Sequence, residues 1–184
     1  MNNRDIRLLI PVFLLQKLKV HPLTRGLYPI ALGKTSLENN FQITQTNAPF
    51  FSLIYCLGSG GDLQMDNTLK QLNIGDLAII PPNAPYRFSA KKQKNIQTMS
   101  ANDGIFWLNF EGDLAPNFAE RFFMKMDDGI SYVGLFKNVE KDLNELLALG
   151  QRGYTATNVI HAVHVLQQTL SVLSICKSPP LPRQ

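Results

Sequence analysis

The rhythm of apolar and polar positions changes along the chain. Up to about residue 113 the apolar residues come in short runs, FQITQT, FFSLIYCL and GIFWLNF, rich in β-branched and aromatic side chains. Turn signals separate them: GSGGD, DNT, NIGD, PPNAP and ANDG. Short strands at such spacing predict a sandwich or barrel with antiparallel pairing. From about Ala115 the period lengthens to that of a helix. Phe136, Val139, Leu143 and Leu146 fall at steps of 3, 4 and 3, and Val159, Val163, Leu166, Leu170 and Leu173 at steps of 4, 3, 4 and 3. The second set is an a/d stripe. The short GQRGYT between them predicts an antiparallel hairpin, with Thr157 or Asn158 capping the second helix. Near the start, LLIPVFLLQKLKV is broken by Pro11 and carries Lys17 and Lys19. It predicts an amphipathic helix on the body of the protein, not a signal peptide, and it is too short to span a bilayer. The closing KSPPLPRQ cannot continue a helix and reads as a linker or tail. The chain thus divides into an N-terminal arm with a short helix (1–25), a barrel (26–113), a helical segment (114–177) and a tail (178–184).

Composition narrows this picture. The chain has 184 residues, 45% apolar and 17% charged, so it can bury a core without covalent staples. Cys56 and Cys176 stand far apart and form neither a disulfide framework nor a zinc pattern, which suggests a reducing, cytoplasmic setting. The net charge of +4 is concentrated early: residues 1–36 carry Arg4, Arg7, Lys17, Lys19, Arg25 and Lys34 against Asp5. Lys91, Lys92 and Lys94 form the one tight basic cluster, which reads as a solvated hairpin tip. No aromatic-studded basic surface of the kind that holds nucleic acid is visible. His161 and His164 share a helix face, but two ligands make a weak metal site. Asp127 with Asp128, and Glu140 with Asp142, read as solvated surface charge. No Ser-His-Asp or Cys-His arrangement is present, and GSGGD lacks the lysine of a phosphate loop. The expectation is a protein that is not an enzyme.

The stretch GDLAIIPPNAPYRF, residues 75–88, carries the most information. Gly75 and Asp76 suit a tight turn. Leu77 to Ile80 fit a strand buried on both faces. Pro81 and Pro82 cannot donate to a ladder and end it. A new strand starts at Tyr86, with Tyr86 and Phe88 on one face and Arg87 on the other. This pattern resembles the second motif of the cupin superfamily, in which a metal-binding histidine occupies the position of Tyr86. The region of the first motif, SLIYCLGSGGDLQM, contains no histidine. His21, His161 and His164 all lie outside the strand zone. No metal of the cupin type is therefore expected.

Four segments together, HPLTRGLYPIALGKT, FFSLIYCLGSGGDL, LKQLNIGDLAIIPPNAPYRF and GIFWLNFEGDLAPNF, resemble the N-terminal regulatory domain of AraC-type transcription regulators. They cover residues 21 to about 118. The resemblance implies a mainly β fold, a cupin-like jelly-roll barrel followed by a helical hairpin. It also implies a small-molecule effector in the barrel, a homodimer, and DNA binding through a C-terminal helix-turn-helix domain. No such domain follows Lys177, and an excised regulatory domain is the expectation. No membrane contact and no cofactor are expected.

Strand alternation nominates Tyr55, Leu57, Tyr86, Phe88, Ile105, Trp107 and Asn109 as the ligand-contacting set. The resemblance places Trp107 where the family's arabinose regulator stacks a tryptophan on its sugar. Leu57, Phe88 and Ile105 stand where that regulator has polar contacts, which implies a more apolar pocket. The stripe of Val159, Val163, Leu166, Leu170 and Leu173 is the expected dimer seam, so that Leu166→Asp or Leu170→Asp would give monomers. Two alternatives stand beside this reading: a metal-dependent cupin enzyme, isomerase or dioxygenase, and a ligand-free dimerisation module.

Overall fold

A computed structural model describes residues 6–35, 41–91, 104–123 and 129–175. It contains ten strands and four helices among those residues. The first are β1 (Ile6–Leu9), α1 (Val12–Val20), β2 (Tyr28–Thr35), β3 (Gln42–Gln45), β4 (Phe51–Cys56), β5 (Gly61–Met65) and β6 (Thr68–Leu72). There follow β7 (Asp76–Ile80), β8 (Tyr86–Ala90), β9 (Ile105–Glu111), α2 (Ala115–Phe123), β10 (Ile130–Tyr132), α3 (Lys137–Gln151) and α4 (Ala156–Ile175).

The strands pair as one long antiparallel ribbon. β2 pairs with β9, β3 with β8, β4 with β7, and β5 with β6. Rolling the ribbon brings β4 beside β9 and β5 beside β8. The result is two sheets, β1-β2-β9-β4-β7-β10 and β3-β8-β5-β6. That is the order of a jelly roll, and the chain has the cupin-like fold that the sequence suggests.

Turn chemistry sets the corners. At Gly75, φ is +88°, and Asp76 accepts a hydrogen bond from the Asn73 N–H at 2.7 Å. The prolines after Ile80 end β7 as expected, and Asn83, at φ +63°, donates its N–H to the Ala48 carbonyl at 2.7 Å.

Two cores share the larger sheet. Inside the barrel, Ile54, Cys56, Ala78, Ile80 and Ile105 meet Leu63, Leu72, Tyr86 and Phe88 of the smaller sheet. On the outer face, Leu53, Tyr55, Leu77, Ile79, Phe106, Leu108 and Phe110 meet Phe122, Leu143, Leu146, Leu166 and Leu170 of the helices. Strands β4, β7 and β9 therefore have almost no solvent face, which is why their sequences run apolar without alternation.

Two strands differ from the sequence expectation. The apolar run near the N-terminus is a strand and then a helix, divided at Pro11. Before it, β1 pairs with β2. After it, α1 begins, because proline fixes its own φ and holds its predecessor extended. β10 lies within the zone expected to be helical and extends the larger sheet beyond β7. The cap of α4 also lies earlier than expected. Thr155 Oγ1 accepts from the Asn158 N–H at 3.2 Å, while the Asn158 amide donates back to the Gly153 carbonyl at 3.0 Å.

The expected dimer seam is corrected. α3 and α4 do pack as a hairpin, but Val163, Leu166, Leu170 and Leu173 are 0–2% exposed within the single chain. Val159 is half-buried and packs with Leu18 of α1. Val165, Thr169 and Ser174, on other faces of α4, are buried too. A heptad-like stripe marks a buried face without saying which surface covers it, and here the chain itself does so. Leu166→Ala should lower stability by about 2–5 kcal/mol, read from the midpoint of chemical denaturation. Leu166→Asp or Leu170→Asp should give unfolded or insoluble protein by circular dichroism and size exclusion. A folded, soluble monomer from either would contradict this packing.

Candidate ligand-binding site

Register across the larger sheet aligns two rows of side chains. The first is Arg7–Gly33–Trp107–Ile54, and the second Leu9–Ala31–Asn109–Ser52. Residues paired directly across strands point to one face, and Ile54 lies in the barrel core, so both rows face inward. On β2 the two positions are glycine and alanine. The Trp107 ring covers Gly33, and the small side chain of Ala31 leaves a floor between Leu9 and Asn109. A cavity of about 290 Å³ lies there, completed by residues Phe41 to Gln45 of the smaller sheet.

The Trp107 indole lies against Gly33: a Cβ added at Gly33 would come within 2.6 Å of the ring. Its N–H is buried and has no hydrogen-bond partner among the described residues. Asn109, also buried, accepts a hydrogen bond at its Oδ1 from Ser52 Oγ at 3.0 Å. Ser52 in turn bonds to the Tyr86 hydroxyl. Burial holds the Tyr86 phenol above its ordinary range, partly offset by the Ser52 bond, so Tyr86 stays neutral at ordinary pH. The chain Tyr86–Ser52–Asn109 fixes the asparagine amide with its oxygen engaged and its NH₂ unused by that chain. The Arg7 guanidinium stands 5.9 Å from the centre of the Phe41 ring, a cation–π distance.

The expected ligand set separates into three groups. Trp107 and Asn109 line the cavity, and Tyr86 reaches it through Ser52. Phe88 and Ile105 face the barrel interior but fill its closed part, each 0% exposed. Gly61 helps close that part, since a Cβ there would lie 2.4 Å from the Phe88 ring. Tyr55 and Leu57 are corrected: both belong to the helix-facing core. The Tyr55 hydroxyl donates to the Gly134 carbonyl at 2.6 Å. With β4 apolar on both faces, alternation alone could not tell which set points inward; Ser52, Ile54 and Cys56 do. Sequence reasoning missed Arg7, Gly33, Ala31 and Ser52. A polar Ser52 inside an apolar run was the available signal for the inner face.

Among the described residues, no group of three or more His, Cys, Asp or Glu side chains is placed to hold a metal ion. His161 Nε2 lies 3.2 Å from Glu145 on the neighbouring helix, and Lys91 pairs with Asp62 at 3.1 Å. Lys92, Lys94, Asp127 and Asp128 lie outside the described residues. Glu140 and Asp142 are not simple surface charge. Asp142 is buried and accepts from Gln168 Nε2 at 3.0 Å, and one Glu140 oxygen is buried without a partner among the described residues.

The cavity lies between the two sheets of a cupin-like jelly roll. No protein-family model matches the chain. A search of curated proteins finds the MmsAB operon regulatory protein of Pseudomonas aeruginosa, 27% identical over 177 residues. That alignment covers 94% of this chain and 55% of the relative, so the chain spans little more than half of that protein. Similar solved structures include KdgF from a Halomonas species, with TM-score 0.35 and 12% identity, covering 47% of this chain and 69% of that one. Another is a cupin 2 conserved barrel domain protein from Leptotrichia buccalis, with TM-score 0.36 and 16% identity, covering 60% and 41%. No helix among the described residues is long and apolar enough to cross a membrane.

Two measurements probe this geometry. Ser52→Ala leaves both Tyr86 and Asn109 without a partner and should cost about 1–3 kcal/mol in a denaturation experiment. The Cys56 thiol is pushed up to about 12, chiefly by burial and then by Asp76. It should resist alkylation at pH 8 in the folded protein and react once unfolded, as peptide mass mapping would show. The unfolded thiol ionises from about pH 9 while the folded one stays protonated, so its contribution to stability falls as pH rises from 9 toward 12.

Proposed function

We propose that this chain is the effector-sensing and dimerisation domain of an AraC-type transcriptional regulator, acting in the cytoplasm. The cavity floored by Ala31 is its effector site. One observation carries the reading: a cavity of about 290 Å³ between the two sheets, lined by Arg7, Trp107 and Asn109. The likeness to a regulatory protein over 94% of the chain supports the same class. A catalytic role is not favoured, because an indole, an amide and a guanidinium supply no general base at neutral pH.

The mechanism follows from connectivity. β1 supplies Arg7 and Leu9 to one wall of the cavity and runs through Pro11 into α1. α1 packs by Leu18 on Val163 of α4 and on Tyr28. It is also tied to β9, where Glu111 accepts from the Tyr28 hydroxyl at 2.8 Å and pairs with Lys19 at 3.2 Å. An effector that binds better to one arrangement of this arm shifts its population. The α4 stripe is occupied, so a partner copy must use another surface. Val12, Phe13 and Val20 of α1, between 61% and 75% exposed, offer one. DNA would be read by a domain beyond this chain, with the dimer setting half-site spacing.

The test is a metabolite screen by thermal unfolding, with fluorescence of the sole tryptophan as the second readout. A true effector at a hundredfold its Kd adds about 2.7 kcal/mol. Ala31→Leu, which fills the floor, should abolish the response while the protein stays folded. A blank screen of sugars, organic acids and amino acids would instead favour a ligand-free dimerisation module.

A further inference from the structure

We infer that the cavity selects a small carboxylate with a compact apolar body, and that Arg7 of β1 is its charge partner. The inference rests on the effector-site reading above and names the chemistry of that ligand. It comes from an inventory of hydrogens and lone pairs. The Arg7 guanidinium has donors and no acceptor. The Trp107 indole lines the cavity with its ring, its N–H being buried against Gly33. Asn109 has its oxygen engaged by Ser52, which leaves its NH₂. Gln42, Thr44 and Gln45 complete the polar lining and can turn either way. Among the described residues no aspartate or glutamate lines the cavity.

Such a lining rewards a ligand rich in acceptors. A carboxylate brings two oxygens and a negative charge, and charge-assisted bonds from arginine are the stronger kind. A neutral polyol would leave the Arg7 charge without a counter-charge, which a carboxylate supplies. The rest of the lining is apolar: Leu9, Phe41, Ile43 and the indole face.

Size follows from the register. Arg7 and Trp107 flank Gly33 on neighbouring strands, so their backbones stand roughly 10 Å apart at the usual strand spacing. The volume, about 290 Å³, lies near the lower end of small-molecule sites. A short branched or aromatic acid fits both limits.

The experiment uses the whole chain labelled with ¹⁵N and follows its single indole N–H resonance. The probes are 3-methylbutanoate and benzoate, each against its primary amide, which keeps the shape and removes the charge. Both acids should shift the resonance saturably, with the amides weaker by roughly tenfold or more. Arg7→Gln should reduce acid affinity to that of the amides and leave the amides unchanged. Arg7 is exposed on an edge strand, and a thermal melt verifies that the variant folds. Amides binding as well as acids, or an acid preference that survives Arg7→Gln, would overturn the carboxylate assignment and leave the effector site standing. No shift from either class would also overturn it. The effector site itself falls only if the wider metabolite screen is blank as well.

Discussion

Strands β4, β7 and β9 are packed from both sides, and this shapes the rest of the molecule. Their inward residues close the barrel, and their outward residues seat α2, α3 and α4. Each fully buried leucine or phenylalanine contributes about 1.5–3 kcal/mol relative to exposure, so the helices are part of the folding unit. α4 is locked by this demand: Val163, Leu166 and Leu170, all 0% exposed, cannot serve a second chain without abandoning the first.

The cavity arises where that double packing thins out. β2 lies near the margin of the larger sheet, between β1 and β9. Its inward side chains there are Gly33 and Ala31, too small to reach the opposite sheet. Elsewhere Phe88, Ile105 and Leu63 fill the interior, at 0–1% exposure. Polar groups, Arg7, Gln42, Thr44, Gln45 and Asn109, collect at the thin place. The Tyr86–Ser52–Asn109 chain ties them to the core and holds Asn109 in one orientation. Tyr86 thus serves as a structural hydrogen-bonding group behind the site.

Much of this was legible in the sequence. Turn chemistry around Gly75 and the three prolines placed β7 and β8 and gave the facing of Tyr86, Arg87 and Phe88. Helical spacing placed α3 and α4. Trp107 and Asn109 emerged from alternation because β9 keeps a polar residue on its inner face. The failures have specific causes. β4 carries apolar residues on both faces, so the parity of Tyr55 and Leu57 was open. The apolar run divided at Pro11 has no strand-like alternation, which hid β1 and with it Arg7. A repeat of 3 and 4 is the same whether a helix meets its own sheet or a twin. Gly33 and Ala31 gave no signal, since a cavity is defined by what small residues leave empty.

The contact between Gly33 and the Trp107 ring separates durability from discrimination. The two inward positions on β2 take part in neither packed core, so the residues that keep the protein folded are not the ones that shape its vacancy. A lineage could alter those two positions, and the side chains flanking them, and acquire a new molecular vocabulary while keeping its architecture. Gly33 itself is the exception within that freedom. Any side chain there would push the indole aside, so one codon change would redraw the size and the polarity of the site together.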